Sequence, residues 1–372
     1  MAAKKSVQLS GVVVAMSAIS SIDPEEGVLM YRGYDIAELA EHSTYEEVAH
    51  LLLHGELPSD DELSSFREQL AERELPAHVE AIVDDSAATA LPMDLLRTAT
   101  SALAFTDPDR SANDRDAGIR KAARLAAQLP TVIARLHRRR EGLEPVPPDP
   151  SLSYAESFLA MLHGEPPSEA AARAFDAAMI LHAEHEMNAS TFTARVIAGT
   201  GADLHAAVVG GIAALSGPLH GGANEAAMKL FQRFGSPERT PGEVRAMLER
   251  KEKLHGFGHP LYRAYDPRAL ILKRLSRELS KGAGEPNWYA ITEAAERTVF
   301  EEKGLYPNVD LYSASLYTYL GIPTDLFTPL FAASRVVGQA AHVLEQQADN
   351  KIIRPSAEYV GDPRRAFPIR QG

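Results

Sequence analysis

Apolar residues three or four positions apart recur in segment after segment of this chain, and that spacing commits it to packed helices. The pattern predicts helices over Tyr34–Ala40, Thr44–Leu53, Asp60–Glu72, Met93–Leu103, Ala117–His137, Ser153–Leu162 and Ser168–Ile180. It resumes over Gly222–Phe234, Gly242–Lys251, Pro267–Leu279, Trp288–Lys303, Leu311–Leu320 and Thr328–Gln347. Ser43-Thr44 ahead of Glu46 and Glu47, and Ser59-Asp60 ahead of Glu62, carry the residue types that cap helix starts. Between His182 and Leu215 the chain is almost uncharged and rich in Ala and Gly, as expected of helices buried on several sides. Only Gly11–Ala15 and Val28–Arg32 read as strands, joined across Asp23-Pro24-Glu25-Glu26-Gly27 into a small hairpin. Prolines in Gly142–Pro150 are too dense for a helix and mark an extended connector. An irregular tail follows Ile353. The fold class is all-α, with a short N-terminal β-hairpin.

With 372 residues, the chain suits one large domain with a smaller companion. It has no cysteine, which excludes disulfides, thiolate catalysis and iron–sulfur or zinc–cysteine sites. A net charge of −13 argues against nucleic-acid binding, and an anionic substrate needs a local basic pocket. The longest apolar run, Ala206–Leu215, is broken by Gly210-Gly211 and is too short to span a bilayer. The start, Met1–Ser6, lacks the apolar stretch of a signal peptide, so a cytoplasmic protein is expected.

Three short segments each deliver one ionisable side chain on a tight loop before a helix. Gly217-Pro218-Leu219-His220-Gly221-Gly222 places His220 beside glycines that allow close backbone approach to a ligand. The helix start there disfavours an imidazolium and is expected to keep the ring neutral. Gly256-Phe257-Gly258-His259-Pro260 frames His259, which the following proline drives out of helical geometry. In Tyr306-Pro307-Asn308-Val309-Asp310, position and helix dipole are expected to hold the Asp310 carboxylate ionised as a general base. Taken alone, His220 and Asp310 also read as helix caps. Asp266-Pro267-Arg268 sets a guanidinium at a helix mouth, suited to a carboxylate, although taken alone Arg268 reads better as a solvated surface charge. Arg335 and Arg354 lie in apolar surroundings and need anionic partners, either a ligand or the protein itself. His182 and His185, three apart and sharing a helical face, raise a metal site with Glu186. The run is not His-Glu-x-x-His, and no metal is expected.

In this order the segments resemble the citrate synthase family over nearly the whole chain. Tyr31-Arg32-Gly33-Tyr34-Asp35-Ile36, Leu51–Pro58 and Leu95–Thr98 carry the early likeness. His185-Glu186-Met187-Asn188-Ala189-Ser190-Thr191, the His220 and His259 loops and Asp310-Leu311-Tyr312-Ser313 follow. Gly321-Ile322-Pro323, Ser334-Arg335 and Asp349–Pro355 complete it. The resemblance implies a large helical domain (1–219 and 322–372 with the tail) interrupted by a smaller one (220–321), and a homodimer with shared active sites. It implies condensation of acetyl-CoA with oxaloacetate, coenzyme A thioester being a co-substrate, with no permanently bound cofactor. Carried over residue by residue, Asp310 removes the α-proton, His220 hydrogen-bonds the thioester oxygen and His259 polarises the ketone. His185, Arg268 and Arg335 hold the oxo acid, with Arg354 entering from the partner subunit. Arg263 meets a CoA phosphate, and Gly256, Gly258 and Asn308 contact the CoA. Leu261, Gln339 and Leu91 depart from the family's usual residues, which leaves the acyl preference open: 2-methylcitrate synthase uses the same residues on propionyl-CoA. A metal-dependent hydrolase and a non-catalytic helical binding protein are the readings from other classes.

Overall fold

The computed structural model describes residue 9 and residues 11–367; Met1–Ser6 and the last residues of the tail lie outside them. Three antiparallel strands, β1 (Ser20–Asp23), β2 (Val28–Tyr31) and β3 (Tyr34–Asp35), form a sheet in that order. The remaining regular structure is helical. It begins with α1 (Ile36–His42), α2 (Tyr45–His54), α3 (Asp60–Ala71), α4 (Ala77–Ser86) and α5 (Pro92–Leu103). The long α6 (Arg115–Arg140) precedes α7 (Tyr154–His163), α8 (Glu169–His182), α9 (Ala189–Ala198) and α10 (Leu204–Leu215). Then come α11 (Ala223–Phe234), α12 (Thr240–Glu249), α13 (Pro267–Ser280), α14 (Trp288–Lys303) and α15 (Val309–Tyr319). A 3₁₀ turn at Thr324–Leu326 leads into α16 (Phe327–Ala348). The all-α expectation holds.

Local chemistry explains the starts. Thr44 with Glu47, Ser59 with Glu62, and Ser153 with Glu156 each close a reciprocal capping box on α2, α3 and α7. Such a cap is worth about 1 kcal/mol. Among the described residues, the proline-rich connector and the tail are irregular as read. Helix α16 packs on α6, α9, α10 and α2 through the core, while α11 to α15 pack chiefly on one another. None of the described helices is long and apolar enough to cross a membrane.

Two expectations fail. The first strand is Ser20–Asp23, not Gly11–Ala15: β1 pairs Ser20 with Tyr31 and Asp23 with Val28. Asp23 Oδ1 accepts the Glu25 and Glu26 N–H groups, both at 3.0 Å, and so tightens the turn until only its immediate flanks pair. Val12 and Val13 are left exposed. Helix α4 carries no predicted counterpart. It buries only Val79 and Val83 and lacks a side-chain cap, so its apolar signal is thin.

Candidate active site

Two loops, one before His259 and one before Asp310, are laced together by main-chain bonds. Gly258 N–H donates to the Tyr306 carbonyl and Asn308 N–H to the Gly256 carbonyl, both at 2.9 Å. The Asn308 amide Nδ2 donates to Gly258 O at 2.9 Å, while its Oδ1 accepts Asp310 N–H at 3.0 Å as the cap of α15. Asn308 therefore serves both loops at once. Gly256 has φ +87°, and a Cβ there would come within 2.8 Å of the Leu311 side chain. Side-chain-bearing residues rarely adopt that backbone, and the space is also closed.

His259 Nδ1 accepts the N–H groups of Leu261 (3.1 Å) and Tyr262 (3.3 Å). The ring proton of the neutral imidazole is thereby placed on Nε2, which becomes a donor. Burial, aided by the Arg268 charge, lowers its pKa to about 4. The ring lies 5.1 Å from that of His185 and 4.7 Å from that of Tyr262, centroid to centroid. The Tyr262 hydroxyl sits 3.2 Å from His185 Nε2. His185 is itself buried, and burial followed by the Arg268 charge holds it well below the usual histidine range.

His220 stands on the turn between α10 and α11, its ring 6.4 Å from that of Phe331, centroid to centroid. Gly221 makes that turn possible: its N–H donates to Leu215 O at 2.9 Å, and a Cβ would lie 2.6 Å from that oxygen. Asn188 caps α9 by accepting Ser190 N–H and Thr191 N–H. Ser190 N–H also points at His220 Nε2, at 3.3 Å, with the Ser190 hydroxyl 3.0 Å away. Nε2 is thus the acceptor, and Nδ1 carries the proton. The ring is neutral, as expected, but for a different reason. Burial and then the Arg335 charge lower its pKa to about 4, and α11 does not begin until Ala223.

Asp310 departs further from expectation. Burial drives its carboxyl up to about 7 against the attraction of the Arg268 charge. Desolvation outweighs the start of α15. Its Oδ1 is buried with no hydrogen-bond partner.

The two arginines differ. Arg268 is 2% exposed, not a solvated charge, and Asp266 grips it bidentately at 3.0 and 2.8 Å. Burial opposes its charge, but the Asp266 carboxylate more than compensates and raises the pKa. Arg335, 1% exposed, donates from Nε to the His182 carbonyl at 2.6 Å and lies 4.7 Å above the Phe331 ring. Among the described residues no carboxylate pairs with it, and burial lowers its pKa to about 10. A buried guanidinium without an anion is an incomplete site.

Other expected residues lie elsewhere in this single chain. Arg354 is in the exposed tail. Arg263 is exposed and pairs with Glu25 at 3.0 Å, on the turn before β2. His182 ends α8, so it does not share a helical face with His185; its Nδ1 contacts Ala178 O at 2.7 Å. Tyr262, Phe331 and Ser190 were missed by sequence reasoning. Only their places beside His259, Arg335 and Asn188 could have flagged them.

The chain is similar to proteins of known family over nearly its whole length. The family model described as citrate synthase, C-terminal domain, matches residues 8–356. "Citrate synthase 2" of Bacillus subtilis is 46% identical over 366 residues, covering 98% of each chain. A 2-methylcitrate synthase of Shewanella oneidensis is 43% identical, over 97% of this chain and 96% of its own. The structure of a Thermoplasma acidophilum citrate synthase, in ternary complex with carboxymethyl coenzyme A and oxaloacetate, superposes with a TM-score of 0.89. It is 31% identical and covers 96% of both chains. The chain belongs to the citrate synthase family.

Proposed function

We propose that the protein condenses acetyl-CoA with oxaloacetate and hydrolyses the resulting thioester, releasing citrate and CoA. The observation that carries this reading is the Asp310 carboxyl, buried, with one oxygen unpartnered, near neutral pKa and adjoining the His259 loop. A base poised near the working pH is what abstraction from a weak carbon acid requires. Asp310 takes the methyl proton. His220 donates from Nδ1 to the thioester oxygen as negative charge develops there, and removing such a donor typically costs about 10²–10³ in kcat. The enol carbon then attacks the ketone of oxaloacetate, which His259 polarises from Nε2, and the new alkoxide takes up the His259 Nε2 proton as the C–C bond forms. Water finally cleaves the thioester. His185, Arg268 and Arg335 hold the oxo acid. Of these, Arg335 is best placed for a substrate carboxylate, because Arg268 is already paired.

Residues 220–321 form the smaller domain in this reading, closing on 1–219 and 322–372 to exclude water from the enolic intermediate. The enzyme is a cytoplasmic homodimer in which Arg354 completes the partner's site. Arg263 exchanges Glu25 for a CoA phosphate, and the shaped loop of Gly256, Gly258 and Asn308 receives the CoA. Propionyl-CoA is the alternative acyl donor, supported by the similarity to a 2-methylcitrate synthase. One methylene discriminates by only about 1–3 kcal/mol. Measuring kcat/KM with both thioesters decides the matter: acetyl-CoA is expected to be preferred, and preference for propionyl-CoA overturns the choice.

A further inference from the structure

The oxo-acid subsite stands on a buried carboxylate that the chemistry above does not use. Glu184, immediately before His185, has no solvent exposure. Such a charge persists only where it is hydrogen-bonded or balanced. Its Oε1 accepts from the Ser20 hydroxyl and faces His342 Nε2, each at 3.0 Å. The other nitrogen of His342 lies 3.1 Å from Arg195 Nη1. A guanidinium can only donate, so Nδ1 accepts and the ring proton points from Nε2 toward Glu184. Arg195 is in turn paired with Glu345 at 2.6 Å.

The second oxygen, Oε2, is buried without a partner and lies against α16. A Cβ at Gly338 would sit 2.5 Å from it and 2.3 Å from the Ala183 carbonyl. Gly338 is one helical turn beyond Arg335, so the carboxylate and the guanidinium flank one stretch of α16. They form no ion pair, yet Glu184 leads the groups that oppose the loss of charge from Arg335. The contrast with Arg268 is informative. There the carboxylate of Asp266 occupies the donor edge. At Arg335 the balancing charge stands off and leaves that edge free.

The same residues brace the backbone around His185. Ser20 Oγ accepts the Glu186 N–H at 3.2 Å, and Glu186 holds φ +52°, a conformation that costs a non-glycine residue. The Tyr31 hydroxyl accepts Glu184 N–H at 3.1 Å and donates to Glu184 O at 2.7 Å. Residues on both sides of His185 are therefore fixed by the N-terminal sheet.

We propose that Glu184, held by Ser20 and His342, is a positioning residue for oxo-acid binding that balances Arg335 from inside and fixes the backbone that aims His185. This rests on reading Arg335 and His185 as the oxaloacetate subsite. The test titrates oxaloacetate into wild-type protein, Glu184→Gln and Glu184→Asp by calorimetry, with KM for both substrates measured alongside. Glu184→Gln is expected to weaken oxaloacetate binding by about tenfold or more, the scale on which removing one of two coupled buried charges acts. Its KM for acetyl-CoA and its melting temperature are expected to stay at wild-type values, and Glu184→Asp to recover part of the binding. Unchanged oxaloacetate affinity in Glu184→Gln overturns the proposal, as does an equal loss for both substrates with a lowered melting temperature. If Glu184→Gln does not fold, Ser20→Ala replaces it: a higher oxaloacetate KM alone supports the proposal, and an unaltered one overturns it. Absence of oxaloacetate binding to the wild type overturns the functional reading and this inference with it. Wild-type binding that Glu184→Gln leaves intact overturns only the role of Glu184.

Discussion

Gly258 donates its main-chain N–H to the carbonyl of Tyr306 at 2.9 Å, which fastens the loop carrying His259 to the loop carrying Asp310. The proposed electrophile and the proposed base are thus set by one short ladder instead of by two independent turns. Gly256 and Gly258 flank its bridge, Phe257 to Pro307, with φ of +87° and +74°. Alanine at either position takes on a left-handed backbone, at roughly 1–2 kcal/mol. Only at Gly256 does it also collide, with Leu311 within 2.8 Å. Thermal denaturation is expected to show Gly256→Ala as clearly the less stable variant. Equal melting temperatures would contradict the packing assigned to this loop.

Asp310 should govern the pH dependence of the reaction. Burial raises its carboxyl to about 7, whereas His220 and His259 sit near 4 and stay neutral through that range. The ascending limb of kcat/KM against pH is therefore expected near 7, from the carboxylate alone. The folded protein holds a proton that the unfolded chain releases at 3.8, so the stability linked to Asp310 is present below 3.8 and lost as pH rises through about 7. Asp310→Asn removes that loss. Its urea midpoint should exceed the wild-type value by a margin that grows up to about pH 7 and then levels. A constant margin would show an unshifted carboxyl.

Arg335→Leu tests the unpaired guanidinium. Its side chain packs over Phe331 and no carboxylate is within ion-pair distance among the described residues, so its free donor edge is expected to meet a substrate carboxylate. Hydrogen bonds to a charged group contribute about 1.5–3 kcal/mol, which predicts an oxaloacetate KM raised at least tenfold. KM for acetyl-CoA should stay unchanged. Arg335→Lys should recover little, because an ammonium cannot reproduce the planar fork. An unaltered oxaloacetate KM in Arg335→Leu would remove it from the substrate site.

Gln339, one helical turn beyond Arg335 on α16, offers a stability test. It is 1% exposed on α16, and neither its amide nitrogen nor its amide oxygen has a partner. Its oxygen lies 2.6 Å from where a Cβ of Gly211 would stand, on α10. Leaving buried polar atoms unmade costs about 1–3 kcal/mol each. Gln339→Leu is therefore expected to raise the melting temperature, and a lower one would mean that the amide is satisfied in the assembled protein.

Much of this was legible in the sequence, because strong local signals coincide with the site. Helix starts such as Thr44 and Ser59 announce themselves through capping chemistry. The glycine loops of His220 and His259 and the Pro307-Asn308 turn before Asp310 do the same for the candidate reacting groups. What escaped depends on contacts distant in sequence. Burial sets the protonation of Asp310, and no dipole argument from its own helix could weigh that desolvation. Asp266 caps α13 by accepting the Arg268 N–H, but its grip on the Arg268 guanidinium depends on both side chains being buried. The Ser20 strand has little apolar alternation of its own and exists because the Asp23 turn and Tyr31 dictate its register.

The central claim is that Asp310 begins a condensation that needs both substrates. Its most direct test is release of free thiol from acetyl-CoA by wild type and by Asp310→Asn, each with and without oxaloacetate. Thiol should appear with wild type only when oxaloacetate is present, and the variant should be slower by about 10²–10⁴, the range of general-base catalysis. Release without oxaloacetate, or undiminished release from Asp310→Asn, would contradict the account.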